Sequence, residues 1–160
     1  MKKITILFFS ILLMLSLNTN IYASESMDSN EYSIIETFSD GSYIKSILID
    51  DSTDYSSLAR KTSTKTGRRV YSYESSSGKL LWTITITGTF SYTGSSSKCT
   101  KSEISTTCPA SNWKLSEKKA YTSGSSAKAT ASFKQYKKDV YLQTITRTVT
   151  LSCNKSGKLY

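Results

Sequence analysis

Histidine is absent from the 160-residue sequence, and proline occurs once. Without histidine the chain cannot build a Ser-His-Asp or Cys-His catalytic site, a histidine general base or a histidine-ligated zinc site. Carboxylates are also scarce after residue 60, where only Glu74, Glu103, Glu117 and Asp139 occur. None of them lies in a motif that pairs two carboxylates for glycoside hydrolysis, and no glycine-rich phosphate loop is present. The sequence therefore predicts a non-enzymatic protein with no cofactor and no metal site.

Long apolar runs are missing except at the N-terminus. Lys2 and Lys3 precede an apolar stretch from Ile4 to Leu17, and Ala23 supplies the small residue favoured before a cleavage site. The stretch is shorter than the roughly 20 residues that a membrane-spanning helix needs. We expect residues 1–23 to be a secretory signal peptide and no other segment to cross a membrane. The protein is then secreted, or loosely held at the cell envelope.

Charge is divided unevenly along the chain. Residues 24–59 carry eight acidic side chains against Lys45 alone, a net charge of −7, whereas residues 60–160 carry eighteen basic side chains against four acidic ones, a net charge of +14. Such asymmetry usually concerns partners and solubility more than the fold. We divide the chain into a signal peptide (1–23), an acidic segment with a β-hairpin (24–50), a linker (51–68) and a basic β-sandwich domain (69–160).

The clearest structural pattern lies in residues 79–94, KLLWTITITGTFSYTG. Apolar residues occupy the even positions and mostly hydroxyl residues the odd ones, which is the two-residue period of a half-buried β-strand. Gly88 interrupts the apolar side and predicts a bend, a bulge or the close approach of another backbone. With the last strand, this segment supplies the predicted core: Trp82, Ile84, Ile86, Phe90, Ile145, Val149 and Leu151.

Further short runs rich in β-branched and aromatic residues predict neighbouring strands, and serine- and glycine-rich turns separate most of them. Within residues 31–50, Asp40-Gly41 supplies the positive φ angles of a hairpin turn. The fold expected is all-β: an antiparallel β-sandwich, immunoglobulin-like or a small open barrel, preceded by the N-terminal hairpin and a linker. The hairpin must dock on another element to be well ordered, because two strands alone are marginally stable in water.

Three cysteines are candidates for covalent chemistry: Cys99, Cys108 and Cys153. In an exported protein two of them can form a disulfide, which leaves one over. A Cys99–Cys108 bond would clip a hairpin or loop, whereas a bond from either of them to Cys153 would tie the middle of the domain to its last strand. Loop closure favours a bond to Cys153, because closing about 50 residues restricts the unfolded chain more than closing about 10.

Lysines in the second half of the basic domain are candidate contacts for anionic cell-wall polymers or a membrane surface. They are Lys114, Lys118, Lys119, Lys128, Lys134, Lys137 and Lys138. The alternative is that they discourage aggregation at sheet edges. Trp113, in the loop-like PASNWKLSEKK, is either a core anchor or a candidate aromatic platform for a ligand. Nucleic acid would match the charge, but export argues against it as the partner.

Four phrases in the sequence, taken in order, resemble a family of small secreted proteins of Gram-positive bacteria known only as a domain of unknown function. The phrases are SDGSYIKS, TKTGRRVYSYESSSGKLLWTITITGTFSYTGSSSKC, SNWKLSEKKAYTSGSSAKATASF and QTITRTVTLSCNKSGKLY. The match runs from Ser39 to the C-terminus and is most specific in WTITITGTFSYTG and TLSCNKSGKL. It implies a secreted β-domain without naming an activity. It also implies a Cys99–Cys153 disulfide, with Cys108 free or available to another chain.

Two functions of different classes fit these observations. The first is a non-enzymatic binding or structural module at the cell envelope, whose basic surface meets anionic polymers or lipids. The alternative is a secreted antimicrobial or toxin-like effector, in which residues 24–59 mask the basic domain until the linker is cut. The basic pairs Arg60-Lys61 and Arg68-Arg69 are the candidate cleavage positions. A mature protein that starts at Ser24 would support the module, and a start between Lys61 and Val70 would support the effector.

Overall fold

A computed structural model describes residues 32–51 and 62–160. The predicted signal peptide, the first residues of the acidic segment and most of the predicted linker lie outside these ranges. The described residues form eight strands and no helix, so this part of the chain contains no helix able to span a membrane. The strands are β1 (Tyr32–Thr37), β2 (Tyr43–Asp50), β3 (Ser63–Glu74), β4 (Leu80–Tyr92), β5 (Ser97–Thr107), β6 (Trp113–Ser123), β7 (Ser126–Lys137) and β8 (Val140–Ser152).

The eight strands form two antiparallel sheets that pack on each other. The larger sheet has the order β1-β2-β3-β4-β5, and the smaller has the order β6-β7-β8. This arrangement confirms the predicted antiparallel β-sandwich. Strand order follows chain order in both sheets, so each is a meander, without the Greek-key connections of immunoglobulin domains.

β4 is the strand around which the core forms. Its residues Trp82, Ile84, Ile86 and Phe90 are fully buried against the smaller sheet, while the threonines between them lie on the outer side. Trp82 stacks on Phe133 of β7 with 4.5 Å between ring centroids and 5° between ring planes. All seven residues predicted for the core belong to this single cluster. The two-residue period therefore identified both the strand and its buried side.

Gly88 lies where side chains from both sheets leave no room for another atom. A Cβ built there would lie 2.9 Å from Cβ of Ala127 and 2.7 Å from the ring of Phe90. Gly88 pairs directly with Gly67 of β3, where a Cβ would collide with the side chain of Leu159. The predicted close approach is confirmed, and a bulge in the β4–β5 pairing follows one residue later.

The N-terminal hairpin docks edge-on against β3 and becomes part of the larger sheet. β2 pairs with β3 along its whole length, from Tyr43 opposite Glu74 to Asp50 opposite Gly67. β3 begins at Ser63, inside the segment predicted as a linker, because residues 63–68 pair with residues 87–92 of β4. The segment lacks an apolar pattern because its inward positions are Ser63, Lys65 and Gly67, opposite Tyr92, Phe90 and Gly88 of β4. The hairpin and the basic domain thus share one sheet.

Ion pairs join the acidic hairpin to basic residues of the later strands. The pairs are Glu36–Arg147, Asp50–Lys65 and Asp51–Arg68, and the last two have N–O distances of 2.6 Å. Exposed or half-exposed pairs of this kind each contribute about 0–1 kcal/mol. They therefore orient the hairpin more than they stabilise it. Some of the acidic residues of the first half of the chain are thus neutralised by basic residues of the second half within the fold.

Candidate functional site

The outward surface of the β6-β7-β8 sheet carries most of the candidate lysines. In β7, Ala127, Ala129, Ala131 and Phe133 are buried, so the residues between them point away from the larger sheet. The strand register places side chains of β6 and β8 beside those outward residues. We name this surface the lysine face and define it by its charged residues: Lys114, Glu117, Lys119, Lys128 and Lys134.

Four of the seven candidate lysines thus share one surface. Lys114 lies directly opposite Lys134, Lys119 lies opposite Thr130, and Lys128 lies opposite Tyr121. Like charges directly opposite each other destabilise an antiparallel pair. The repulsion between Lys114 and Lys134 therefore lowers the stability of the sheet and is not needed for folding. Within the described residues no carboxylate forms an ion pair with any of the four lysines.

The other three candidate lysines lie elsewhere. Lys118 pairs with Ala131, whose side chain faces the core. The side chain of Lys118 therefore leaves the exposed edge strand β6 on the core-facing side of the sheet, opposite to the lysine face. Lys137 ends β7, and Lys138 lies in the turn between β7 and β8. The structure thus brings four of the lysines together, sends two to the end of a hairpin and separates one.

Hydroxyl groups fill the space between the lysines. Thr130 Oγ1 lies 2.8 Å from Thr148 Oγ1, and Ser132 Oγ lies 2.8 Å from Thr146 Oγ1. Each pair is a hydrogen bond across β7 and β8, so the hydroxyls are held in fixed positions. Hydroxyls can both donate and accept hydrogen bonds. The surface therefore combines positive charge with neutral groups suited to sugar or phosphate oxygens.

A small pocket opens at the end of the lysine face where three chain segments meet. Its volume is about 240 Å³, and its lining residues are Ser111, Asn112, Lys114, Tyr136, Lys138 and Asp139. Lys114 Nζ lies 5.1 Å from the centroid of the Tyr136 ring. The backbone N–H of Tyr136 donates to the carbonyl of Asn112 at 2.8 Å, which fixes the β5–β6 connection beside β7. The pocket is large enough for one anionic group of a longer ligand.

A second open pocket, of about 270 Å³, lies on the inner side of β1, β2 and β3. Its lining residues are Tyr32, Ser33, Ser46, Leu48 and Arg69. Arg69 Nη1 donates to the carbonyl of Thr150 at 2.9 Å. The lining supplies a guanidinium and hydroxyls, but it contains no carboxylate, amine or thiol to act as a base beside them. We therefore assign no chemistry to this pocket.

Trp113 is not an exposed aromatic platform, and that prediction is wrong. Its side chain is 3% exposed. The ring packs edge-on against Tyr73 at 5.5 Å and against Trp82 at 6.4 Å between centroids. Trp113 begins β6 on the inward side of the strand, so the polar residues around it in sequence lie outside while the indole closes one end of the core. The alternative prediction, a core anchor, describes its role.

All three cysteines are free thiols in the structure, so the Cys99–Cys153 disulfide implied by the resemblance is not formed in it. The backbone N–H of Cys99 donates to the carbonyl of Gly124 at 2.8 Å, and the backbone N–H of Cys153 donates to the carbonyl of Ser125 at 3.1 Å. Both cysteines therefore flank the β6–β7 turn. Burial raises the pKa of each thiol, so both sulfur atoms are protonated in the free form.

Cys108 lies beyond the far end of β5 from Cys99. β5 spans Ser97–Thr107, and an extended strand advances about 3.3 Å per residue. The two Cα atoms are thus roughly 30 Å apart, whereas a disulfide requires less than about 7 Å. The strand geometry excludes the Cys99–Cys108 bond that the sequence left open.

No protein-family model, curated protein or solved structure matches this chain. The described surfaces are therefore the features that bear on function. Of these, the lysine face has four lysines that form no ion pair with a carboxylate of the described residues. It offers ammonium groups and hydroxyls, and the residue types it presents are suited to binding a polyanion.

Proposed function

We propose that the protein is a secreted, non-enzymatic module that binds anionic polymers of the cell envelope through the lysine face. The observation that supports this proposal most is the strand register of β6 and β7. It places Lys114, Lys119, Lys128 and Lys134 on one outward surface, where Glu117 is the only carboxylate among the described residues of β6 and β7. A bound polyanion would relieve the repulsion between Lys114 and Lys134, so binding would compensate for a cost in the free sheet.

The dimensions of the lysine face suit an extended ligand more than a single small anion. Lys128 and Lys134 are six residues apart on β7, which corresponds to about 20 Å along the strand. Lys119 lies on the neighbouring strand between them, opposite Thr130. Positive charges spread over such a distance match a polymer with repeated negative groups. The hydroxyls of Thr130 and Ser132 lie along the same line and would contact the uncharged parts of the polymer.

Export is part of the proposal and depends on the sequence. Residues 1–23 have the charged start, apolar stretch and small terminal residue of a signal peptide, and the resemblance is to secreted proteins. Exported cysteines meet an oxidising environment. We therefore include the Cys99–Cys153 disulfide in the proposal for the secreted protein, since both residues flank one turn.

The masked-effector alternative receives less support. Arg68 and Arg69 lie inside β3, which is paired with β2 on one side and β4 on the other. Arg68 also forms an ion pair with Asp51, and Arg69 donates to the carbonyl of Thr150. A protease needs an extended, unpaired segment, so cutting at this pair would require the sheet to open. Cleavage would also remove two strands that belong to the larger sheet. The other basic pair lies outside the described residues.

The first experiment is co-sedimentation of the secreted protein with purified phosphate-containing wall polymer over a series of salt concentrations. Retention should be strong at low salt and fall steeply between about 0.1 M and 1 M, as the Debye length shortens from about 10 Å to 3 Å. A neutral wall polysaccharide is the control and should retain little protein. Absence of retention at low salt, or retention that does not change with salt, would contradict binding through charge.

A further inference from the structure

The hairpin formed by β7 and β8 has three exposed apolar residues directly after its turn, at the start of β8. Val140, Tyr141 and Leu142 are 62%, 53% and 50% exposed. Successive residues of a strand point to opposite sides, so these side chains leave the hairpin end on both sides. A bulge in the β7–β8 pairing at this position leaves Leu142 without a directly opposite partner. Three adjacent large apolar side chains in water are a feature that calls for a partner.

The turn that carries them has an unusual backbone. Lys138 and Asp139 have φ angles of 49° and 64°. Two successive left-handed residues are normally Asn-Gly, because a side chain with Cβ is strained in this conformation. The turn nevertheless contains lysine and aspartate. Strain kept in an exposed turn is a reason to look for a function there.

Lysines surround the apolar residues. Lys134, Lys137 and Lys138 belong to the same hairpin, Lys114 lies beside it, and Asp139 is the carboxylate of the turn. The Tyr136 ring lies beneath Lys114 and packs edge-on against Tyr141, with 6.2 Å between ring centroids. Tyr136 lies opposite Tyr141, Lys137 lies opposite Val140, and Lys138 and Asp139 form the turn beyond them. Cationic, aromatic and aliphatic groups thus lie side by side at the hairpin end. This mixture suits the interface of a bilayer, where lysine ammonium groups stay with the headgroups while aromatic and apolar side chains are buried.

We propose that this hairpin end, residues 134–142, inserts its apolar side chains into the interfacial region of an anionic lipid bilayer. The inference goes beyond the proposed function, because the ligand is a lipid surface and the decisive contacts are Val140, Tyr141 and Leu142. The lysines supply attraction to anionic headgroups, and the apolar residues supply burial. Neither signal alone binds a membrane firmly, whereas the two together do.

A second copy of the chain fits the hairpin end less well than a bilayer does. A stable interface buries about 800 Å² on each partner, and three side chains at the end of a hairpin fall short of that area. The lysines around them would also face the same lysines of the second copy. An anionic bilayer has the opposite charge and no fixed shape to match.

The test compares binding to vesicles of phosphatidylglycerol mixed with phosphatidylcholine and to vesicles of phosphatidylcholine alone. The tip variant is Val140→Thr/Tyr141→Thr/Leu142→Thr. Its matched control is Tyr32→Thr/Ile34→Thr/Ile35→Thr, which removes one tyrosine and two aliphatic residues that are 56%, 55% and 45% exposed on β1. The tip variant should bind anionic vesicles at least about tenfold more weakly than wild type, and the control should stay within about twofold. Thermal unfolding of both variants verifies that they fold.

A fluorescence measurement tests insertion directly. The native indoles of Trp82 and Trp113 are 0% and 3% exposed, so lipids with brominated acyl chains should not quench them. The indole of a Tyr141→Trp variant should shift to shorter wavelength on anionic vesicles and be quenched by those lipids, and that of a Tyr32→Trp variant should not. Failure of the wild type to bind anionic vesicles, equal losses in the two triple variants, or an unquenched Tyr141→Trp indole would overturn the inference.

Wall-polymer binding by the tip variant separates this inference from the proposed function. The tip variant keeps every lysine, so it should bind wall polymer as wild type does. If the wild type binds vesicles through the hairpin end but does not bind the polymer, the proposed function fails and the membrane contact stands. If lysine-face substitutions abolish vesicle binding while the tip variant binds normally, the membrane contact through the hairpin end is wrong.

Discussion

Trp82 is the residue through which both sheets share one core. Its ring stacks on Phe133 of the smaller sheet and packs edge-on against Trp113. The centroid of its ring lies 4.9 Å from that of Tyr73 of β3. Removing a fully buried aromatic side chain loses its burial and leaves a cavity between the sheets. The contacts of Trp82 therefore belong to the stability of the whole sandwich and not to one strand.

The corresponding prediction is that Trp82→Ala lowers the free energy of unfolding by about 3–5 kcal/mol. Trp82→Phe should lose less, because the ring that stacks on Phe133 remains. Denaturant unfolding followed by circular dichroism measures both values. A loss below about 1 kcal/mol for Trp82→Ala would show that the two sheets do not depend on this contact.

The cysteines allow a second prediction at the residue scale. In secreted protein purified without reductant, peptide mapping should recover a Cys99–Cys153 linked peptide and an unmodified Cys108. Cys99 and Cys153 flank one turn, while Cys108 lies beyond the other end of β5. A linked Cys99–Cys108 peptide would contradict the length of β5, and three alkylated thiols would show that the exported protein keeps its cysteines reduced.

Among the elements, the β1–β2 hairpin depends on how its turn joins the core. Asp40 Oδ1 accepts hydrogen bonds from the backbone N–H and the hydroxyl of Ser42, at 3.0 Å and 2.5 Å. The Ser42 hydroxyl is also 2.7 Å from the hydroxyl of buried Tyr73. The bonds from Ser42 lower the pKa of the Asp40 carboxyl. The charged carboxylate therefore connects the turn to the aromatic end of the core.

This arrangement makes the hairpin sensitive to acid. The pKa of Asp40 is lowered in the folded state, so the ionised carboxylate adds to the free energy of unfolding. This contribution is fully present above the ordinary carboxyl pKa of 3.8 and is lost as the pH falls through the lowered value. Wild type should be more stable than Asp40→Asn at neutral pH, and the difference should shrink in acid. Urea unfolding of both proteins from neutral to acidic pH measures it. A difference that does not change with pH would mean that the carboxylate charge has no role in the turn.

Most elements could be predicted from the sequence because their physical causes are local. The alternation in residues 79–94 and the Asp40-Gly41 turn depend on neighbouring residues, and both are found in the structure, although only Gly41 of that pair has a positive φ. The start of β3 could not be predicted, since Gly67 is explained only by its cross-strand partner Gly88 and by the side chain of Leu159. The burial of Trp113 likewise depends on a neighbour, Tyr73, that is forty residues away in sequence.

The composition of the lysine face also could not be predicted from the sequence pattern alone. The β6–β7 register shifts between Leu115 and Glu117, and a shift by one residue moves every following side chain to the other surface. Without that bulge Lys118 would share the outer surface with Lys114. With it, Lys119 does so. The sequence could therefore name the lysines but not which of them lie together.

At the scale of the whole molecule, the two oppositely charged halves of the chain meet inside one sheet. Glu36, Asp50 and Asp51 pair with later basic residues, so part of the charge asymmetry serves the fold. The lysine face remains outside these pairs, on the side of the sandwich away from the hairpin's sheet. We therefore expect polyanions to bind to the lysine face specifically, and net charge alone to be insufficient for binding.

Two quadruple variants of equal charge distinguish binding at the lysine face from binding by net charge. One carries Lys→Gln at Lys114, Lys119, Lys128 and Lys134, and the other carries Lys→Gln at the exposed Lys79, Lys98, Lys155 and Lys158, so each loses four positive charges. Affinity for purified anionic wall polymer at about 0.1 M salt should fall at least tenfold, or about 1.4 kcal/mol, in the first and less than about threefold in the second. Equal losses in both variants, or no loss in the first, would contradict a binding site on the lysine face.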